Sequence, residues 1–422
     1  MPVTIKKSAP EKPPGVSFWA RRRPRTRVGQ AVKTAMDLSF IYFGNDWFAE
    51  NRTSSHHIAR RLSNRFPLLY VETPGLRAPK TSGRDIRKLF KKLAAAFRPP
   101  RQISEHMWHI SVPQIPFRRY AAVRKINEVF ALWKVRSALR RVPLSSPLSW
   151  FTVPHPGFLA GKLGERMVVY YCIDNYAALP DVDAVDVARM DEALTRRADV
   201  VFAASPSLVR EKRRLNETVI YSPHGVDADV FGKAADLTLP IAEPARSLSH
   251  PIIGFFGVLD GRIDTGIIEF LATSRPHWSL LLVGRIAIDA QRLSRLSNIC
   301  MPGSVPYETL PDWARAFDVC IMPYRQDAFS VNANPLKLRE YLATGRPVVS
   351  IPTAEVEQFS GFVSVAATNE EFLAAIEKEL AADSGERRRE RIRLVSPATW
   401  DARVEVVIAT TVAQLKRQTS RG

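Results

Sequence analysis

Short apolar runs, each halted by glycine or proline and followed by a polar loop and an amphipathic stretch, recur along this chain and leave it few folds. Leu38 to Phe43 is the first run, followed by the loop Gly44-Asn45-Asp46-Trp47 and a helical pattern from His56 to Phe66. Pro67 to Pro74 is a second run ended by proline, and Met167 to Cys172 and Val200 to Ala204 flank a helix from Val185 to Arg197. A strand covered on both faces reads as an unbroken apolar run, and strand, loop, helix in repetition builds a parallel sheet. The alternation resumes in the second half: Pro251 to Gly257, a helix from Thr265 to Thr273, Trp278 to Gly284, Val319 to Pro323, a helix from Leu336 to Ala343, and Pro347 to Ile351. The fold class is therefore α/β with two parallel sheets. At 422 residues the chain is too long for one core. The expected division is a disordered basic leader at 1–36, an α/β domain at 37–232, a linker at 233–250 and a second α/β domain at 251–398, closed by 399–422. The linker is placed where Ala, Pro, Asp and Ser mix without period.

The net charge of +19 is unevenly placed: 30 of the 61 Lys and Arg, but only eight of the 42 acids, precede residue 151. Solvation, an anionic membrane surface and nucleic acid each account for such an excess. The basic stretches interleave few aromatics, which argues against a nucleic-acid partner. A basic helix from Lys80 to Arg101 carries Leu89, Leu93 and Phe97 on one stripe, either as a core face or as a face dipping into a membrane surface. No run approaches the roughly 18 apolar residues of a spanning helix, and no apolar segment follows the N-terminal basic residues as in a signal peptide. Cys172, Cys300 and Cys320 lie in or beside apolar runs without CxxC spacing, as buried thiols in a reducing cytosol do.

The segment Asn332 to Val349 carries the most chemistry. A polar loop opens a helix that ends at Gly345 before a strand. The amino end of such a helix offers free N–H groups and a positive dipole end to a phosphate. Lys337, in the first turn, adds a cation toward a diphosphate, and Glu340, one turn on, is placed to accept ribose hydroxyl hydrogens. The plain alternative is a lysine and a glutamate exposed on a surface helix.

Here the chain resembles the retaining GT-B glycosyltransferases of family four, whose signature is Glu, seven residues, Glu, then a small residue, Gly and Pro-Val-Val. Glu340 matches the second glutamate and Asn332 stands at the first. The version Asn334-Pro335-x-Lys337-x-x-Glu340-Tyr341 is similar to a subgroup acting in cell-surface polysaccharide assembly. Ser222-Pro-His-Gly-Val-Asp227 with Phe231 resembles the family's interdomain segment, with His224 in place of Asn. Gly303, Tyr307, Leu310, Pro311 and Ala316-Phe-Asp318 resemble its donor-base region. The helix opened by Thr399-Trp400-Asp401 resembles the one that crosses back to the N-terminal domain.

The resemblance implies two Rossmann-like domains facing across a cleft, with acceptor in the first and nucleotide-sugar in the second. It assigns Arg262, Asn332, Asn334, Pro335, Lys337 and Glu340 to the donor. Arg262 is the one cation after the first C-domain strand, where the family often has an Arg and a Lys; a solvated loop arginine is its alternative. His155 and Asp174 are implied as catalytic, the first presented to the transferred sugar and the second orienting acceptor or donor. Asp174 also reads as a cap of the following turn, and a lone histidine is more often structural. Asn45, Asp46 and His56 or His57 match the family's interdomain acceptor loop, or are solvated loop polars. Asp181-Val182-Asp183 is formally a DxD, but at a helix start acids suit the macrodipole. No metal and no cofactor are expected, the nucleotide-sugar being a co-substrate. The implied partners are a nucleotide-sugar, a glycan or lipid-linked acceptor and an anionic membrane surface. The implied location is cytoplasmic, peripheral at the inner face of the plasma membrane. A GT-B epimerase and an inactive GT-B binding module are the alternative readings.

Overall fold

A computed structural model of the chain describes residues 38–49, 52–73, 98–115, 120–179, 182–236, 238–327, 330 and 334–420. The expectations for the leader at 1–36, for Leu89, Leu93 and Phe97, and for Asp181 and Asn332 lie outside the described residues.

The first sheet has eight strands: β1 (Phe40–Gly44), β2 (Leu68–Glu72), β3 (Arg101–Ser104), β4 (Met107–Ser111), β5 (Leu148–Phe151), β6 (Met167–Cys172), β7 (Val200–Ala203) and β8 (Val219–Tyr221). Their order is β3-β4-β2-β1-β5-β6-β7-β8. Every pairing is parallel except β3 with β4. This corrects the expected helix from Lys80 to Arg101 at its carboxyl end, where Arg101 begins a strand. Pro99 and Pro100 offer no amide to continue a helix.

Alternation sorts the strand side chains onto two faces. One face buries Ile41, Phe43, Leu69, Val71, Phe151, Tyr170 and Val201 against Ala131, Val135 and Ala138 of helix α2 (Ala121–Leu139) and Leu194 of α3 (Ala184–Arg197). The other face is an aromatic row running across the sheet. Tyr70 stacks on Tyr42 at 5.5 Å, Tyr42 on Trp150 at 6.2 Å, and Trp150 on Tyr171 and Phe202 at 6.1 and 6.0 Å. Helix α1 (Ser54–Ser63) covers one end of that row through Ile58, Ala59 and Leu62.

The second sheet has six strands, all parallel: β9 (Ile252–Phe256), β10 (Ser279–Val283), β11 (Ile299–Gly303), β12 (Val319–Met322), β13 (Val348–Ser350) and β14 (Val363–Val365). Their order, β11-β10-β9-β12-β13-β14, places β9 and β12 at the centre with buried apolar clusters on both faces. Helices α5 (Thr265–Ser274) and α7 (Asn369–Ala382) cover one face. Helix α6 (Leu336–Ala343) lies on the other.

The chain crosses between the sheets twice, and the crossings lie side by side. Val226 donates its amide to Ala398 O at 2.9 Å and accepts from Trp400 N at 3.3 Å. After the second crossing, α9 (Trp400–Thr419) returns along the first domain, where Glu405 pairs with Arg65 and Gln418 donates to Asp199 at 2.6 Å. The segment expected as a linker, 233–250, is instead wall of the second domain: Ala234 and Ala245 are buried in one cluster with Phe231, Phe256 and Tyr341. Its apolar residues are too sparse for a periodic signal, yet Ile241, Ala242 and Leu248 also pack against that cluster.

Gly254, mid-way along β9, lets Phe317 lie directly on the strand, and a Cβ there would fall 2.0 Å from that ring. Overpacking of this kind costs about 1–3 kcal/mol. Gly254→Ala is expected to lower the urea midpoint accordingly, with an unchanged denaturant slope.

Candidate active site

Parallel strands bring their carboxyl ends to one edge, where open α/β sheets place ligands. On the first sheet that edge carries Asn45 and Asp46 after β1, His155 after β5 and Asp174 after β6. On the second it carries Arg262 after β9 and the start of α6.

The donor-side residues converge through two glycines. Gly257 follows β9 at φ 141° and Gly284 follows β10 at φ 139°, backbone that disfavours any Cβ. A Cβ on Gly284 would meet Gly257 O at 1.9 Å, and one on Gly257 would meet Lys337 Cε at 2.0 Å. The Lys337 stem thus lies across Gly257, its Nζ 5.5 Å from the centre of the Phe255 ring. This packing sets the first turn of α6 against the carboxyl end of β9. Pro335 occupies the N-cap position and no side chain caps the helix. Its first-turn amides and dipole end are thereby left for a ligand.

Arg262 is gripped by Asp260, its Nε and Nη2 each donating to that carboxylate at 2.8 Å. Burial works against the guanidinium charge, but the Asp260 pair outweighs it and the pKa rises. Arg262 also reaches across the cleft electrostatically to Asp174. Burial pushes the Asp174 carboxyl up to about 6, the Arg262 charge partly offsetting it, while Asn175 N donates to Asp174 Oδ1 at 3.0 Å. Asp174 thus steadies its own turn and faces the opposite domain's cation. Glu340 is likewise pushed up to about 7 by burial; Lys337 opposes the shift and Asp227 adds to it.

Other expected residues have different partners. Asn334 is buried; its amide nitrogen donates to Ala204 O at 2.7 Å beyond β7, and its oxygen accepts from Arg339 at 2.8 Å. Both ends of the amide are taken, so it ties the domains together rather than turning to a donor. His56 is held inside its own loop, where Nδ1 accepts from Thr53 N at 3.0 Å and Nε2 meets Asp46 O at 2.8 Å. Asp46 is exposed and accepts from Phe48 N at 3.0 Å, and Asn45 O accepts from Tyr70 at 2.7 Å. His155 is buried in the turn His155–Leu159. Asp183 caps α3, accepting from Asp186 N.

Beside α1, residues that the sequence reading named in separate segments meet in one junction cluster. His57 stacks on Trp400 with ring centres 4.8 Å apart and rests Nδ1 3.3 Å from Asp227, which also binds Arg61 at 2.6 Å and Tyr307 at 3.1 Å. Burial lowers the His57 pKa to about 3. Arg52, from the same loop, pairs with Glu308 of the other domain. Arg52, His57, Arg61 and Asp227 border a cavity of about 220 Å³. His57, Asp227, Tyr307 and Trp400 each fall in a segment that the sequence reading singled out, but no motif links those segments. The partners of His57 lie more than 160 residues away, so no local pattern joins them.

The two open α/β domains edge to edge, with the closing helix returned to the first, define a GT-B protein. Residues 250–382 match the family model described as Glycosyl transferases group 1. A Bacillus subtilis protein named as a teichuronic acid biosynthesis glycosyltransferase, TuaH, is 27% identical over 267 residues, 58% of this chain and 67% of that protein. The lipopolysaccharide core biosynthesis mannosyltransferase LpsB of Rhizobium meliloti is 26% identical over 184 residues, 40% of this chain and 49% of that one. Among solved structures, sucrose-phosphate synthase from Thermosynechococcus elongatus superposes with a TM-score of 0.63 at 17% identity, covering 91% of this chain and 99% of that one. Anabaena HepE in complex with UDP and glucose superposes at 0.56 and 13%, covering 92% and 98%.

The raised Glu340 carboxyl makes a signed prediction. Below its ordinary value of 4.5 the group is neutral folded or unfolded; as pH rises from there through about 7, ionising it in place costs stability. Glu340→Gln removes that cost. The melting temperature of the variant is therefore expected to gain on the wild type between about pH 5 and about pH 8. A constant difference across that range would contradict a raised pKa.

Proposed function

We propose that the chain transfers a hexose-type sugar from a nucleotide-sugar, with retention of anomeric configuration, to a lipid-linked glycan acceptor in cell-surface polysaccharide assembly. The observation that carries this is the convergence of Arg262, Lys337, Glu340 and the uncapped start of α6 on one sheet edge, opposite Asp174. The sugar diphosphate lies at the α6 amides between Lys337 and Arg262, which stabilise the charge that develops on the leaving group. Glu340 accepts from the ribose hydroxyls, and this exchange of water for hydroxyl donors returns it to the charged form. Asp174, partly protonated at neutral pH by its burial, orients the acceptor hydroxyl or the sugar, and His155 is presented to the transferred sugar. No covalent nucleophile is needed, since attack and departure share one face of the sugar. The names of TuaH and LpsB support the polysaccharide setting, and UDP with glucose in the HepE structure supports a UDP-sugar as first choice.

Calorimetric titration with UDP-, GDP-, ADP- and dTDP-sugars tests the donor site. One nucleotide family is expected to bind, and Lys337→Ala to weaken it about 10- to 100-fold, the worth of a charge-assisted hydrogen bond. The donor site is refuted if no nucleotide-sugar binds at millimolar concentration.

A further inference from the structure

Two loops at the carboxyl edge of the second sheet are joined by a short antiparallel bridge, and that bridge sets a second arginine beside Arg262. Asp264 N donates to Pro323 O at 2.8 Å and Arg325 N to Arg262 O at 2.7 Å, with Ile263 paired to Tyr324 between them. The loop after β9 is thereby tied to the loop after β12. In an antiparallel pair, opposite residues share a face and successive residues alternate. Ile263 and Tyr324 turn inward: Ile263 is 4% exposed in the core cluster that α5 covers, and Tyr324 packs against the same cluster. Arg262 and Arg325 therefore share the other face, the one from which the Arg262 charge acts on Asp174 across the cleft.

The two arginines differ in what already holds them. Arg262 is gripped by Asp260, whereas Arg325 is exposed, and its guanidinium has no hydrogen bond or ion pair among the described residues. Asp327, two residues on, turns instead to Ser330 N at 2.8 Å. Like charges set opposite each other on paired strands repel and cost stability. A second arginine placed there without a carboxylate of its own leaves room for an anion from outside. Guanidinium forks match the oxygens of a phosphoryl group, and Lys337 is near enough for its charge to act on Asp260.

We propose that Arg325 and Arg262 form a guanidinium pair that grips the sugar-side phosphoryl group of the donor diphosphate, Arg325 supplying from the loop after β12 the second cation that the loop after β9 lacks. The identity of the ligand rests on the transferase reading; the pairing of the two arginines rests on the bridge alone. When the bond from the anomeric carbon to the phosphoryl oxygen breaks, its electron pair stays on that oxygen between the two forks. The acceptor oxygen bonds the anomeric carbon and gives up its proton to the phosphate. Two fixed forks facing the departing oxygen take up the charge that it gains.

Calorimetric titration of the whole protein, Arg325→Ala and Arg325→Lys with UDP, GDP, ADP and dTDP, each beside its monophosphate, tests the pair. The diphosphate that the wild type prefers is expected to bind Arg325→Ala about 10- to 100-fold more weakly, the loss that charge-assisted hydrogen bonds carry. Its monophosphate, which lacks the sugar-side phosphoryl group, is expected to change less than about threefold. Arg325→Lys is expected to recover part of the loss, since the charge remains without the fork. Without ligand, Arg325→Ala is expected to melt at or above the wild-type temperature, because the opposed charges are relieved. Unchanged diphosphate affinity, equal losses for diphosphate and monophosphate, or a lowered melting temperature overturns the pair. If Lys337→Ala still weakens binding in that case, the donor site stands without it; if no nucleotide binds the wild type, the donor site is lost and the pair with it. Glucose 6-phosphate checks the source of the phosphoryl group. Binding that depends on Arg325 for this compound, and for no nucleoside diphosphate, would move the phosphoryl group to the acceptor and overturn the assignment.

Discussion

Everything the cleft requires hangs on the short parallel contact in which Val226 bonds to Ala398 and Trp400. Two separate crossings would let the domains twist as well as open. Laid side by side and hydrogen-bonded, they act as one strap. Gly225 is part of that contact, because a Cβ there would fall 2.7 Å from the Trp400 backbone. His57 stacked on Trp400 and Ser54 bonded to His224 at 3.0 Å fasten the strap to α1, whose amino end borders the cleft. Buried His57 and His224 both stay neutral, their pKa values held near 3 chiefly by desolvation. Neutral rings can pack there without a charge that needs water.

Beside the strap, where His224 meets the backbone of Asn334, the domains also meet through polar bridges. Asn334 reaches from the α6 loop to Ala204, Arg339 joins it to the buried Glu355, and Tyr221 donates to the same carboxylate at 3.3 Å. One residue on from this network, Pro335 opens α6, and Lys337 lies across Gly257. A shift of α6 therefore moves its uncapped first turn, where the proposed function puts the diphosphate, and an interdomain bond together. The cleft charges are arranged with similar economy: Arg262 pairs with Asp260 and also acts on Asp174 across the cleft.

Much of the fold was legible because the central strands are buried on both faces and have to be apolar throughout, as Met167 to Cys172 and Val319 to Met322 are. Edge elements were harder to see. Strand β3, Arg-Gln-Ile-Ser, is mostly exposed and carries no apolar run, and β14 is three residues long. The site divides along the same line. Lys337 and Glu340 are close in sequence, on one helix, and a local pattern finds them. Asn334 was legible as a member of that loop but not as a bridge, since its partner Ala204 is 130 residues away. The electrostatic meeting of Arg262 with Asp174 is likewise a product of topology, which no spacing rule contains.

Helix α9 lies against α1 and β7 and completes the aromatic face of the first sheet, although it comes last in the sequence. A ribosome delivers the chain from the other end. The eight strands of the first domain emerge long before the helix that shields Tyr171 and Phe202, so that face waits through the synthesis of a whole second domain. The interval places a window of exposed aromatic surface in the biogenesis of the protein, open until α9 has followed the second domain out of the exit tunnel.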